Sequence, residues 1–433
     1  MSHTNKKSTK KTKKTSETVE TNMETSYPKT YEEAIKIKNK FWNTQPVMQI
    51  NETKYGRIEE DKDTNSISQT PHDLNPNFYW DTLDISDDKI STELAGFLNK
   101  YYTNSTNSTE SKFRPHYSSK FIQWILCSYN PNNAELYVGV RVKGNNLLVG
   151  FIGATLTMNH LKTETVQTTE VNFMCVHPML RNKRLAVVLM KELTRRVNLK
   201  GCFQAVYMSD KYILNPQCTI QLYHRAIDIR YLVQLNFTTV KLGIKLDEIE
   251  KTLHLPNNPQ NKNFSLLAKE DIESTCELLN KYLERYSYYP VFDTIYFTHL
   301  FFNNEFVKTY ILKKPNGEII DMISYYVLPL SNTNTDTNIN TNTNTNTNTE
   351  GCINTGYLFY YTSMFETPYR LIKDILIVAK NDGLKLLSTY NIMENEDILH
   401  DLHFEPAGHK YHHYMYNWKC PNLKNDQIAK ILI

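Results

Sequence analysis

Residues 171–209 read VNFMCVHPMLRNKRLAVVLMKELTRRVNLKGCFQAVYMS, and their hydrophobic period changes twice. Val171, Phe173 and Cys175 alternate with Asn172, Met174 and Val176, which is the two-residue period of a strand. From Arg184 the spacing lengthens. Leu185, Val188, Leu189, Leu193 and Val197 fall on one face of a helix, with Lys191, Arg195 and Arg196 off it. The strand period then returns in CFQAVYMS. Strand, helix and strand at this spacing make a crossover unit, which places the chain in the α/β (α+β) layered class.

The flanking segments agree with that class. AELYVGVRV and NLLVGFIGATL read as consecutive strands joined by the turn Lys143-Gly144-Asn145-Asn146. Beyond about Lys251 the rhythm repeats more loosely. FSLLAKEDIESTCELLNKYL reads as helical, two tyrosine-rich strand segments (ISYYVLPL and GYLFYYTSM) follow, and YRLIKDILIVAKNDG reads as a further helix. Between the tyrosine-rich strands, residues 331–350 are almost pure Asn-Thr repeats with nothing to pack. They read as an enlarged loop between neighbouring strands, tolerable because loop closure costs only logarithmically more with length.

A formal charge of +3 over 433 residues is too small to argue for nucleic acid. Much of the excess lies in residues 1–30, a Lys/Ser/Thr-rich tail expected to be disordered. That tail reads either as a solvated leader or as an electrostatic tether to a ribosome, RNA or membrane surface. Seven cysteines lie scattered without CxxC spacing, which fits reduced thiols and a cytoplasmic protein. No signal-peptide core follows the lysines, and no apolar run has the length of a bilayer span.

Residues 172–186 allow three chemistries. Cys175 and His177 share one face of a strand, but neighbouring alternate positions seldom aim a base at a sulfur, and a cysteine in an apolar strand is usually core. A metal needs three or four ligands, and this stretch offers two at most. His400, His403, His409, His412 and His413 are denser yet lack matching Cys or carboxylate spacing. The third reading joins the cations of Arg181, Lys183 and Arg184 to the free N–H groups at a helix start, a combination that binds phosphate oxygens. Ala186 is small enough there for an anion to approach the backbone. A solvated basic helix start is the plain alternative.

The stretch EVNFMCVHPMLRNKRLAVVLMKELTRRVNLKGCFQAVY resembles the signature of the glycylpeptide N-tetradecanoyltransferases, or N-myristoyltransferases. FWNTQPV, WDTLDI, YNIMEN and YMYNWKCP resemble further family segments in the family's order, from about Tyr31 onward. The resemblance implies two GNAT-like halves related by pseudo-twofold symmetry, forming one saddle-shaped domain. Residues 31–246 would bind myristoyl-CoA and residues 247–433 most of the peptide. No permanently bound cofactor is implied, since myristoyl-CoA is the acyl-donor substrate. The partners implied are N-terminal-glycine proteins, and the expected state is a monomer. Acyl-CoA contacts would come from Lys40, Phe41, Trp42, Met174, Cys175, Val176, Arg181, Asn182, Lys183, Arg184, Leu185 and Ala186. Asn182 stands where the family usually has serine, and either can bond a phosphate oxygen.

The implied reaction needs donors for an oxyanion and a base for the glycine ammonium. The family's oxyanion hole falls on the main chain of Phe173 and Met174, which is usable only if the strand is bulged there. The implied base is the α-carboxylate of Ile433. The apolar IAKILI independently suggests a tucked-in terminus, and burial would raise the basicity of such a group. Tyr117, Tyr207, His224, Ser324 and Tyr357 match positions lining the peptide's path. Two departures stand out. TNSTNSTESK replaces the family's acidic loop, and Ala407-Gly408-His409 replaces its Gly-Asp-Gly. Two rivals remain: a GNAT-type transferase of shorter acyl groups, and a non-catalytic relative that binds acyl-CoA or glycine peptides.

Overall fold

The computed structural model describes residues 28, 30–34, 36, 41–49, 52–102, 112–126, 131–213, 215–302, 305–332, 351–420 and 422–433. Lys40, most of the 1–30 tail, most of the TNSTNSTESK segment and nearly all of the Asn-Thr insert lie outside these residues.

Thirteen strands form the main sheet among the described residues. In chain order they are β1 (Phe78–Thr82), β2 (Val138–Val142), β3 (Leu148–Leu161), β4 (Glu164–Val176), β5 (Ala205–Ser209), β6 (Cys218–Ala226) and β7 (Phe264–Leu266). They continue as β8 (Tyr288–Val291), β9 (Val307–Lys313), β10 (Ile319–Val327), β11 (Thr355–Ser363), β12 (Leu386–Tyr390) and β13 (Glu405–Tyr416). The helices that matter below are α1 (Asp88–Tyr101), α2 (Ser119–Leu126), α3 (Leu185–Leu199), α4 (Ile272–Leu283), α5 (Thr294–Phe301) and α6 (Pro368–Asn381).

Across the sheet the order is β1-β2-β3-β4-β5-β13-β6-β12-β11-β10-β9-β7, with β8 paired to β3. Read inward from either edge, the two halves match. Each runs through antiparallel strands to one parallel pair, β4 with β5 and β11 with β12. A helix joins each parallel pair, α3 in the first and α6 in the second, because parallel neighbours need a crossover. At the centre the halves exchange strands. β13, from late in the chain, pairs with β5, while β6, from the first half, pairs with β12. The two exchanged strands pair with each other, antiparallel.

The crossover expected from residues 171–209 is present. Leu185, Leu189, Leu193 and Val197 of α3 are buried, as their spacing requires. Glu192 is buried with them, a charge the apolar pattern gave no reason to place inside. Its carboxylate takes Arg195 at 2.6 Å and Arg196 at 2.9 Å, so those two side chains fold back along the helix instead of entering solvent. In the second half, α6 starts on the Thr367 cap with Pro368 in its first turn and buries a continuous apolar stripe. The segment beginning at Phe264 differs from its helical reading. Residues 264–266 form β7 on the edge of β9, and the helix starts only at Ile272. Pairing with the exposed edge of β9 outweighs a weak local helix preference. The two tyrosine-rich strands are antiparallel neighbours, so the Asn-Thr insert does connect adjacent strands.

Candidate functional site

The β3–β4 ladder slips at one place. Phe151 faces Cys175 and Gly153 faces Asn172, so one residue of β3 stands against two of β4, Phe173 and Met174. This is a β-bulge, which turns main-chain groups off the ladder. Phe173 has φ of 55°, a left-handed conformation costly for a residue of its size. Packing holds it there. Its buried ring meets Tyr117 edge-on at 5.2 Å and Tyr102 at 5.8 Å. Met174 turns outward and is 40% exposed, whereas Phe173 is buried.

The chain end runs up to this bulge. Ile428 bridges to Tyr288, Ala429 N–H donates to the Tyr288 carbonyl (2.8 Å), and Ile431 N–H donates to the Tyr360 hydroxyl (3.1 Å). Residues 428–432 are buried. Ile433 lines a cavity of about 40 Å³ together with Thr155, Glu170, Asn172, Tyr360 and Lys430. The side-chain amide of Asn172 lies 3.2 Å from an oxygen of Ile433 and 3.2 Å from the Val171 carbonyl, and turned so that its nitrogen faces these acceptors it donates to both. Lys430 pairs with Glu170 at 2.7 Å, nearly hidden from water.

On the far side of the bulge, residues 178–183 make a 3-10 turn capped by His177, whose Nδ1 accepts from Met179 N–H. Arg184 has φ of 62° and links that turn to α3. The first N–H groups of α3, at Leu185 and Ala186, have no carbonyl partner within the helix. Asn182, Lys183 and Arg184 are exposed around them, while the Leu185 side chain is buried. Arg181 is engaged differently: it donates to the carbonyls of Tyr101 (2.7 Å) and Val176 (3.2 Å), clasping the end of α1 to the end of β4. Cys175 is core. Burial pushes its thiol up to about 12, so it holds its proton at neutral pH, and the capping His177 gives it no base.

Phe41 and Trp42 meet edge-on at 5.0 Å, and Trp42 stacks on Tyr207 at 5.8 Å. Tyr207 in turn stacks on Tyr414 of β13 at 5.2 Å. Tyr117 and Tyr357 belong to a second aromatic group with Tyr326, Tyr390 and Tyr411. Burial first, then repulsion among these phenols, holds the Tyr326 hydroxyl well above its usual range. Tyr117 and Tyr357 are raised for the same reasons, so all three remain neutral hydrogen-bond donors. His224 bonds Ser388 Oγ on the neighbouring strand (2.8 Å). Ser324 is fully buried at a second bulge, where its hydroxyl donates to the Tyr360 carbonyl and accepts from the Tyr360 N–H. It fixes the residue whose own hydroxyl holds Ile431.

Asn172, Glu170 and Lys430 were not among the residues the sequence singled out. The lone cation inside IAKILI was the only visible signal. Among the described residues, no group of three or more His, Cys, Asp or Glu side chains could hold a metal ion, and no helix is long and apolar enough to cross a membrane.

Comparison with known proteins finds two family profiles along this chain. One, described as "Myristoyl-CoA:protein N-myristoyltransferase, N-terminal domain", matches residues 57–220, and its C-terminal counterpart matches residues 234–431. A Bos taurus protein named glycylpeptide N-tetradecanoyltransferase 2 is 33% identical over 93% of this chain and 78% of its own. A Plasmodium falciparum glycylpeptide N-tetradecanoyltransferase is 31% identical over 93% of this chain and 95% of its own. Among solved structures, Saccharomyces cerevisiae N-myristoyltransferase with bound myristoyl-CoA superposes with a TM-score of 0.81 at 28% identity, covering 91% of this chain and 94% of that one.

Proposed function

Because the chain belongs to the myristoyl-CoA:protein N-myristoyltransferase family, we propose a residue-level account of how it performs that family's reaction. The activity itself is glycylpeptide N-tetradecanoyl transfer (EC 2.3.1.97). The donor is myristoyl-CoA and the acceptor is the α-amine of an N-terminal glycine.

In this account the CoA phosphates rest on the N–H groups of Leu185 and Ala186, ringed by Asn182, Lys183 and Arg184. Lys40, Phe41 and Trp42 of the N-terminal segment contact the acyl-CoA, and Met174, Cys175 and Val176 line the thioester end. The glycine amine attacks the thioester carbonyl, the new C–N bond forms, the C–S bond breaks, and the second proton shed by the attacking nitrogen goes to the CoA sulfur, which leaves as its thiol. The N–H groups of Phe173 and Met174 stabilise the oxyanion, and the Ile433 carboxylate receives the ammonium proton. Tyr117, Tyr207, His224 and Tyr357 border the peptide's first residues, with Ser324 behind them. Residues 31–246 then form the acyl-CoA half and 247–433 the peptide half of a monomeric cytoplasmic enzyme.

One observation carries the account: the side-chain amide of Asn172, next to a bulge of the kind an oxyanion hole needs, lies 3.2 Å from an oxygen of Ile433. Single-turnover transfer from labelled myristoyl-CoA to a glycine-initiated octapeptide tests it. Ile433→Leu should cost little. Deleting Ile431 to Ile433 moves the carboxylate out of reach and should slow transfer by about 10²–10⁴, the usual worth of a general base, with acyl-CoA affinity retained. Full activity in the deletion would shift the search for a base to His224. Acyl-CoA and peptide binding without turnover in the intact chain would favour the non-catalytic relative instead.

A further inference from the structure

We propose that the Glu170–Lys430 ion pair is a positioning element, which fixes the Ile433 carboxylate against the Phe173–Met174 bulge. The proposal rests on the terminal-carboxylate reading above. Residues 428–432 are all buried, and all but Lys430 are apolar. Simple anchoring of this segment would be served as well by another aliphatic residue, because a buried ion pair loses much of its Coulomb attraction to desolvation. What an ion pair adds is direction. Lys430 Nζ meets Glu170 Oε2 at 2.7 Å, with 2% and 10% of the two side chains exposed.

The placement of Glu170 gives that direction its use. It sits on β4, two residues before Asn172 and three before Phe173, so one short strand segment carries the anion that holds the tail, the amide that bonds Ile433 and the bulge. Glu170 is itself held on both sides, by Thr155 of β3 and Val206 of β5. Lys430 is three residues from the terminus, and the Tyr360 hydroxyl takes the N–H of Ile431 between them. The last four residues therefore meet β4 at Lys430 and at Ile433 and β11 at Ile431. A side-chain ion pair sets where along β4 the tail stops. Both partners line the same small cavity as Ile433 and Asn172, and neither needs to touch the substrate.

The test separates placement from stability. Lys430→Met alone strands a buried carboxylate and should lose both. Glu170→Gln with Lys430→Met removes both charges, so the melting temperature should return close to the parent's, with acyl-CoA affinity unchanged. Its single-turnover transfer rate should stay about ten- to a hundredfold low, the range expected when a reacting group drifts by about 1 Å. Recovery of rate together with stability in the double variant would show that the pair merely supports the fold, and would overturn the proposal. If the double variant does not hold acyl-CoA, the comparison passes to Lys430→Arg against Lys430→Gln at equal acyl-CoA affinity. A fast Arg variant and a slow Gln variant support positioning, and equal rates overturn it. The three-residue deletion reads the other premise. A slow deletion with a fast double variant removes only the anchor, whereas a fast deletion removes the base itself.

Discussion

Glu192 shows how one buried charge is made affordable. Burial alone would raise its carboxyl, but bonds from Arg195, Arg196 and the His72 N–H outweigh that and hold it down at about 2, against an ordinary value of 4.5. A depressed carboxylate contributes stability that is complete above 4.5 and is lost as pH falls toward 2, a term of roughly 3 kcal/mol. We expect the urea midpoint to drop between pH 5 and 2.5, and to drop less in Glu192→Gln, which should be the weaker protein at pH 7. Cys175 offers the opposite case. A thiol titrating at about 12 should resist iodoacetamide in the native enzyme at pH 8 and react only on unfolding, as mass spectrometry of the labelled peptide would read. Rapid native labelling would reopen the nucleophile reading of Cys175 and His177. Such single-residue roles are only partly legible in a sequence. The pattern identified Cys175 as core, yet Glu170 and Lys430 are 260 positions apart, and nothing local in either segment announces the partner.

The turn from β4 into α3 divides its cations between two jobs. Lys183 is exposed beside the α3 N-terminus, whereas Arg181 is spent on the carbonyls of Tyr101 and Val176. Lys183→Ala should therefore raise KM for acyl-CoA about tenfold, or about 1.4 kcal/mol, and leave KM for peptide and the melting temperature nearly alone. Arg181→Ala should lower the melting temperature as well, because the clasp on α1 is lost. Steady-state kinetics with parallel thermal melts would check both, and a normal melt for Arg181→Ala would contradict the clasp. The element itself was legible because its period changes within a few residues. The start of the following half was not. Phe264, Ser265 and Leu266 carry no strong local preference, and a long-range pairing with β9 decides their state.

Across the whole chain, acid stability and peptide choice are the properties to test. His413 is buried between β5 and β6, where burial first, and then Lys430, lower its titration to about 3. A histidine kept neutral in the fold gives stability that is complete above its ordinary value of about 6.5 and declines as pH falls below it. His413→Leu should thus flatten the fall in unfolding midpoint between pH 6.5 and 4. For substrates, the missing acidic loop and missing Gly-Asp-Gly predict weak selection for lysine downstream of the glycine. In competition between matched octapeptides with Lys or Ala at the seventh position, a hundredfold Lys preference, about 2.7 kcal/mol, would show that other carboxylates have taken over. The class of fold could be read from one crossover unit, but the exchange of β6 and β13 could not, since period and propensity do not say which edge a strand joins. That exchange bears on how the molecule is made. While the chain emerges from the ribosome, β5 and β6 are complete long before β13 exists, and their edges must wait unpaired through some two hundred further residues. Unpaired strand edges are where nascent chains stick to one another. Synthesis of this protein therefore calls for shelter until residue 416 is out, and a chain stopped short of β13 is an aggregation hazard before it is a defective enzyme.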